Sequence, residues 1–549
     1  MRPDGKAEGL RQSMSWLHTW SGLLLGWLLY AVFFTGTLSY FVDEINNWMR
    51  PETHQSVPND ETADRAMEAM ERIAPGASTW TLNLPGERQT VVEASWRMPG
   101  AAAGRGGTQR AYLDAATGEK IEPRETRGGS FLYRFHFELY AMPRVWGRWI
   151  VGIATMFMLV AIISGVITHK KIFTEFFTFR PRKGQRSWLD AHNATAVLAL
   201  PFHVVITFSG LLLLMFMLMP WGVHAVYDGD TQKYFAESRG GRGGGAADRE
   251  GGGRAGRSQS ADAVPLTPIG PLMRAAQARW PERGVGTIVV QQPGSANSTI
   301  ELREQGGRGL SRGASESLLF DGPTGESRST PQQRQQSLAQ TVSGAMTGVH
   351  MGRFADPSVR WLLFLSGVIG TVMAGSGMVL WVVKRQPERR KLGRTPWGHR
   401  LVEVLNVGAI AGLSVATAAY FWANRLVPAG LEGRSDVEIS CFFWAWGACL
   451  VHAIVRPHRQ SWLEQLGLAA LAFALLPLLN AATGGVPLPI AMAQGQWSIA
   501  GFDLVVLCLA ALHGYAAWKV RAPRVAAGSE IGKGGRLRHA VVQAAERQS

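Results

Sequence analysis

Four histidines in this chain recur in matched surroundings, and a neutral imidazole with a free lone pair is a common ligand for transition metals. His18 stands in Trp16-Leu17-His18-Thr19-Trp20-Ser21-Gly22 at the mouth of an apolar run, with Thr35 17 residues later and Gly36 beside it. His192 closes Trp188-Leu189-Asp190-Ala191-His192, with Ser209-Gly210 at the same spacing. His136, in Phe135-His136-Phe137, precedes Gly147-Arg148-Trp149 and, 28 residues on, Ser164-Gly165. His350, in Val349-His350-Met351, precedes Val359-Arg360-Trp361 and, 26 residues on, Ser376-Gly377. Two halves packed about a pseudo-twofold axis would bring His18 to His192 and His136 to His350. Two imidazoles facing each other in an apolar helical bundle are what a bis-histidine haem requires. Zinc competes, but it takes four protein ligands, or three and a water. Only Asp190, Glu138 and Asp356 stand near enough in sequence to supply them. Without a C-x-x-C-H motif, the haem expected is of the b type, about two per chain.

Other residues have two readings each. His203 lies eleven residues after His192, almost on the same helix face and about 16 Å along at 1.5 Å per residue. It could be an extra ligand, a hydrogen-bond partner or a proton relay. His169, before Lys170-Lys171, either joins the site near His18 or lies at the membrane interface. Arg148 and Arg360 either pair with haem propionates or act as interfacial anchors beside Trp149 and Trp361. Cys441, Cys449 and Cys508 lie in apolar runs and suggest neither a disulfide framework nor a thiolate metal site.

The elements that must position these groups are membrane spans. Apolar runs long enough to cross a bilayer, about 20 residues, fall near 20–41, 147–168, 194–219 and 361–383. Four more follow within 401–520, near 401–424, 437–455, 463–482 and 499–519, giving about eight spans. The first is too long for a signal-peptide core and lacks a small-residue cleavage site, so it reads as an uncleaved anchor. Lys and Arg crowd the 169–193 and 384–400 loops and the 521–549 tail. The positive-inside rule then places both termini, including residues 1–19, in the cytoplasm and the 42–146 and 220–360 segments in the periplasm. The net charge of +15 is largely topological on this reading, and nucleic acid is not an expected partner.

Both outer segments have strand patterns, at Thr90–Trp96 and Ala111–Leu113 and at Gly286–Gln292 and Ser298–Leu302. Each also carries D-x-x-T-G-E, as Asp114–Glu119 and Asp321–Glu326. The fold expected is therefore an α-helical polytopic membrane protein with two periplasmic α+β domains, its first four spans an internal duplication. An Arg/Gly-rich insertion at 239–260 has no core-forming residues. The last four spans read as scaffold, although His399, Glu403 and His452 could carry a function.

The chain resembles the PepSY-associated transmembrane helix proteins. The resemblance rests on Leu17–Gly22, Leu189–His192, the two histidine-to-Arg-Trp stretches and the PepSY-like Tyr112–Glu119, and covers about 10–390. That family includes bacterial inner-membrane ferric-siderophore reductases and iron-regulated membrane proteins. The resemblance implies a haem-bearing helical core, PepSY-like outer domains and electron transfer to siderophore-held ferric iron. A quinol or a flavoprotein would be the donor, since no dinucleotide fingerprint predicts an NAD or flavin domain in this chain. Two alternatives are a respiratory b-type cytochrome with a protein acceptor, and a non-enzymatic PepSY module for assembly or regulation.

Overall fold

The structure is a computed structural model. It describes residues 9–101, 105–169, 180–181, 183–230, 233, 264–306, 316–328, 338–352 and 355–522. The expected insertion at 239–260 and the tail after 522 lie outside the described residues, as does much of the 169–193 loop.

The 42–146 and 220–360 segments each contribute four strands to one continuous sheet. β1 (Thr79–Asn83), β2 (Val92–Arg97), β3 (Thr108–Leu113) and β4 (Lys120–Ile121) come from the first. β5 (Val285–Gln291), β6 (Thr299–Glu304), β7 (Ser317–Asp321) and β8 (Ser327–Arg328) come from the second. The order is β4-β3-β2-β1-β5-β6-β7-β8, with every neighbouring pair antiparallel. Its centre is the β1–β5 ladder, where Thr81 opposes Val289. β1 is absent from the sequence reading, yet it joins the halves. Side-chain alternation puts Trp80, Leu82, Val92, Ala94, Ile288, Val290, Ile300 and Leu302 on one face. There they form a core with helices α3 (Thr62–Ile73) and α8 (Ile269–Arg279), one from each segment.

The repeated D-x-x-T-G-E stretches fold alike. The Asp114 carboxylate accepts from the Thr117 backbone N–H and hydroxyl, and the Asp114 N–H donates to the Glu119 carbonyl. Asp321, Thr324 and Glu326 repeat all three bonds. Gly118 and Gly325 have φ of +72° and +71°, a left-handed conformation that explains the shared glycine.

Beneath the sheet, seven helices among the described residues are long and apolar enough to cross a membrane. In the first half these include α1 (Leu10–Leu38), which runs on into α2 (Val42–Trp48), and α5 (Arg144–Thr168). The short helix α4 (Gly129–Glu138) lies between the sheet and α5 in the chain. The span expected at 194–219 is instead a bent pair, α6 (Gln185–Leu198) and α7 (Leu200–Leu213), which meet at 65°. Pro201 sits in the first turn of α7, where its missing N–H and fixed φ are tolerated, and so favours a new helix start. The second half continues with α9 (Leu338–Met351) and the span α10 (Pro357–Leu392).

The last spans begin with α11 (Trp397–Val407), a π-helical turn at Gly408–Gly412 and α12 (Leu413–Leu426), which together form one apolar unit. α13 (Arg434–Val455), α14 (His458–Ala482) and α15 (Trp497–Arg521) follow. Their core is continuous with that of α1, α2 and α4.

Candidate functional site: two facing histidine pairs

The structure brings the four matched histidines together as two pairs. The His18 and His192 ring centres are 6.1 Å apart, and those of His136 and His350 are 6.2 Å apart. His18 comes from α1 and His192 from α6, whereas His136 and His350 come from the short helices α4 and α9.

Each imidazole is seated on a neighbouring helix at one of the Ser-Gly or Thr-Gly dipeptides. His18 Nδ1 lies 2.9 Å from the Ala161 carbonyl, three residues before Ser164-Gly165. His136 Nδ1 lies 2.7 Å from the Val32 carbonyl, three residues before Thr35-Gly36. His192 Nδ1 lies 3.0 Å from the Met373 carbonyl, three residues before Ser376-Gly377. His350 Nδ1 is 2.9 Å from the Ser209 hydroxyl of Ser209-Gly210 itself. A carbonyl oxygen can only accept, so Nδ1 carries the hydrogen in His18, His136 and His192; the Ser209 hydroxyl already donates to the Val205 carbonyl, so it accepts from His350 Nδ1. Nε2 is left with its lone pair, the tautomer a metal-binding histidine holds when its other nitrogen is fixed by a backbone acceptor.

The glycines make room for the rings. A Cβ at Gly36 would sit 2.6 Å from His136 Cε1. At Gly165, Gly210 and Gly377 the corresponding distances to His18, His350 and His192 Cε1 are 3.1, 3.0 and 3.0 Å. Each buried hydroxyl is satisfied by a carbonyl of its own helix. Thr35, Ser164 and Ser209 donate to the carbonyls of Ala31, Val160 and Val205 four residues back, and Ser376 donates to Met373. The repeated dipeptides were visible in the sequence as repeats, but their role as seats emerges only from the fold. The signal available in sequence was their fixed distance from each histidine.

The remaining site residues join neither pair as partners. His203 is buried, at 1% exposure, and packs its ring against Phe33 of α1 at 5.8 Å. Its Nε2 has no hydrogen-bond partner and would lie 3.1 Å from a Cβ at Gly370. His169 caps α5, and its Nε2 accepts from the Asn193 amide at 2.8 Å. Arg148 ion-pairs with buried Glu138, two residues beyond His136, and Arg134 and Arg144 also approach that carboxylate. Arg360 bonds Glu44 at 3.2 Å, and Glu44 is also held by Arg88. Both arginines are thus committed to carboxylates at the sheet end of the bundle.

In the last spans, His399 packs on Trp381, Glu403 is held by Arg389 and Arg400, and His452 meets Glu464 at 2.7 Å. Among the described residues no group of three or more His, Cys, Asp or Glu is arranged to hold a metal ion.

A family model described as the PepSY-associated TM region matches residues 15–384. It takes in all four seated histidines and stops before α11. No curated protein matches the chain.

Proposed function

The chain belongs to the PepSY-associated transmembrane family, and on that footing we propose that it is a haem b electron-transfer protein of the bacterial inner membrane. It carries electrons from the cytoplasmic or quinol side to a periplasmic acceptor, with siderophore-held ferric iron as the acceptor favoured. The observation that carries this reading is the spacing of the two imidazole pairs. An imidazole nitrogen bonds a first-row metal at about 2 Å and lies roughly 1 Å from its ring centre. Two imidazoles on opposite sides of one metal therefore put their centres about 6 Å apart, against 6.1 and 6.2 Å here. With no third or fourth protein ligand arranged beside them among the described residues, a macrocycle is the natural source of the other ligands.

His18 and His192 would hold one haem b, and His136 and His350 the other. Haem b held there would supply one-electron chemistry. The protein's own contribution is orientation. Three backbone carbonyls and the Ser209 hydroxyl fix the Nδ1–H tautomers, and the four glycines let the rings approach neighbouring helices closely.

The basic loops support cytoplasmic termini and a periplasmic sheet. The mirrored strand order and the repeated turn support an origin by internal duplication. The test is reconstitution in sealed vesicles with a reductant on the cytoplasmic face and a ferric trihydroxamate chelate on the other. The proposal expects Fe(II) to appear outside at a rate abolished by His18→Ala. Fe(II) formation unaffected by that substitution would contradict it.

A further inference from the structure

The segment of four candidate spans after residue 396 lies beyond the family match, and its contacts point to a role. A ten-residue helix such as α4 is not stable alone, yet it must hold His136 against Val32 and Gly36 of α1. Phe131 and Phe135, four residues apart, form a stripe along α4 adjoining His136. That stripe packs on the added helices. Phe131 meets Tyr420 at 5.1 Å and Phe442 at 5.2 Å, and Phe135 meets Phe442 and Phe443 at 5.9 Å and Trp446 at 6.1 Å.

The chain leading into α4 is fastened to the same helices. Arg124 donates to the Asn424 carbonyl at 2.8 Å, and Thr126 bonds the Glu438 carboxylate. Arg434 donates to the Glu125 carbonyl at 2.8 Å, and Ser435 donates to the Glu125 carboxylate at 2.7 Å. At the N-cap itself the Tyr420 hydroxyl donates to the Gly128 carbonyl at 3.0 Å. The seat is gripped too, through α2. Trp48 donates to Asp503 at 2.9 Å and stacks on Phe502 at 4.3 Å, while Asn47 donates to Ser498 at 2.8 Å. Both the histidine's helix and the continuation of its seat are thus bound to one body. In α9 the positions one and five residues before His350 are Val349 and Ala345, so the aromatic stripe has no counterpart there.

We infer that the helices of 397–521 are a positioning element for the His136 side of the His136–His350 pair, with Tyr420, Phe442 and Phe443 as its contact residues. The inference rests on the ligand reading proposed above, but its first readout does not.

Hydrogen exchange of the 129–138 amides would be measured in the full chain in detergent for wild type, Tyr420→Phe and the double variant Phe442→Ala/Phe443→Ala. The low-spin haem signals would be recorded on the same samples. The double variant should raise exchange in 129–138 about tenfold or more while leaving 144–168 near wild type. It should also shift the signal that His136→Ala removes and leave the His18–His192 signal unchanged. Tyr420→Phe should raise exchange by a smaller factor, confined to the first turn of α4. Unchanged exchange in 129–138, or an equal rise throughout the bundle, would overturn the inference, as would equal shifts of both haem signals. A wild type without haem would sink the proposed function, and the exchange data alone would then decide the positioning role.

Discussion

Gly36→Ala should selectively disable the His136–His350 pair. The added Cβ would lie 2.6 Å from His136 Cε1 and 2.7 Å from Nδ1, whereas ordinary contact begins at 3.4 Å. The imidazole must retreat by about 0.8 Å, which stretches its 2.7 Å bond to the Val32 carbonyl to about 3.5 Å, beyond hydrogen-bond range. Overpacking of this kind costs about 1–3 kcal/mol, and the lost bond adds about 1 kcal/mol. At 1.4 kcal/mol per tenfold, the summed cost of about 2–4 kcal/mol weakens ligand binding at that pair by about 30- to 700-fold. Gly165→Ala, Gly210→Ala and Gly377→Ala need shifts of only 0.3–0.4 Å by the same measure and should have graded, smaller effects. Gly22→Ala, also on α1 but with nothing within 4 Å, is the matched control. The assay is haem per protein on purified material, with the midpoint potential of whatever haem remains. Gly36→Ala retaining the haem content and potential of Gly22→Ala would refute the seating argument.

Three other outcomes follow. His203→Leu should leave haem content unchanged and stability equal or higher, because an unsatisfied buried polar group costs about 1–3 kcal/mol; loss of one haem would make His203 a ligand. Arg148→Ala should lower stability in detergent by about 1–3 kcal/mol by leaving buried Glu138 with only more distant cations, and adding Glu138→Gln should recover most of it. His54, outside the spans, is fully buried, and burial holds its pKa down to about 4 from 6.5. The unfolded chain therefore takes up a proton that the folded chain refuses, so this contribution to stability is full above pH 6.5 and is lost as pH falls towards 4. The loss is about 3 kcal/mol, and denaturant melts of His54→Gln should lack that part of the acid dependence.

What the sequence revealed depended on range. Spans, repeated turns and the histidine pairing were legible because each leaves a local or periodic mark: an apolar run, an Asp-to-Gly spacing, a residue recurring at fixed distance. β1 was not, since Thr79–Asn83 is short and its partner β5 lies about 200 residues away. That same long-range pairing joins the strands of the two expected domains in one sheet. The bend at Ala199 was signalled by Pro201 but hidden by the unbroken apolar run around it. The committed ion pairs of Arg148 and Arg360 depend on Glu138 and Glu44, and the second of these comes from the other half of the chain. The role of the last spans was illegible for the same reason, because Phe131 and Phe442 are brought together only by the folded bundle.

That each imidazole pair holds one haem b is the proposal on which the other readings rest. It is tested most directly by a dithionite-reduced minus oxidised spectrum with pyridine haemochrome quantification, on wild type and on His18→Ala, His192→Ala, His136→Ala and His350→Ala. Wild type should show b-type bands at two haems per chain, with one haem lost in each variant. Either variant of a pair should lose the same spectral component. A protein that stays colourless after exposure to haem, or four variants that all keep two haems, would contradict it.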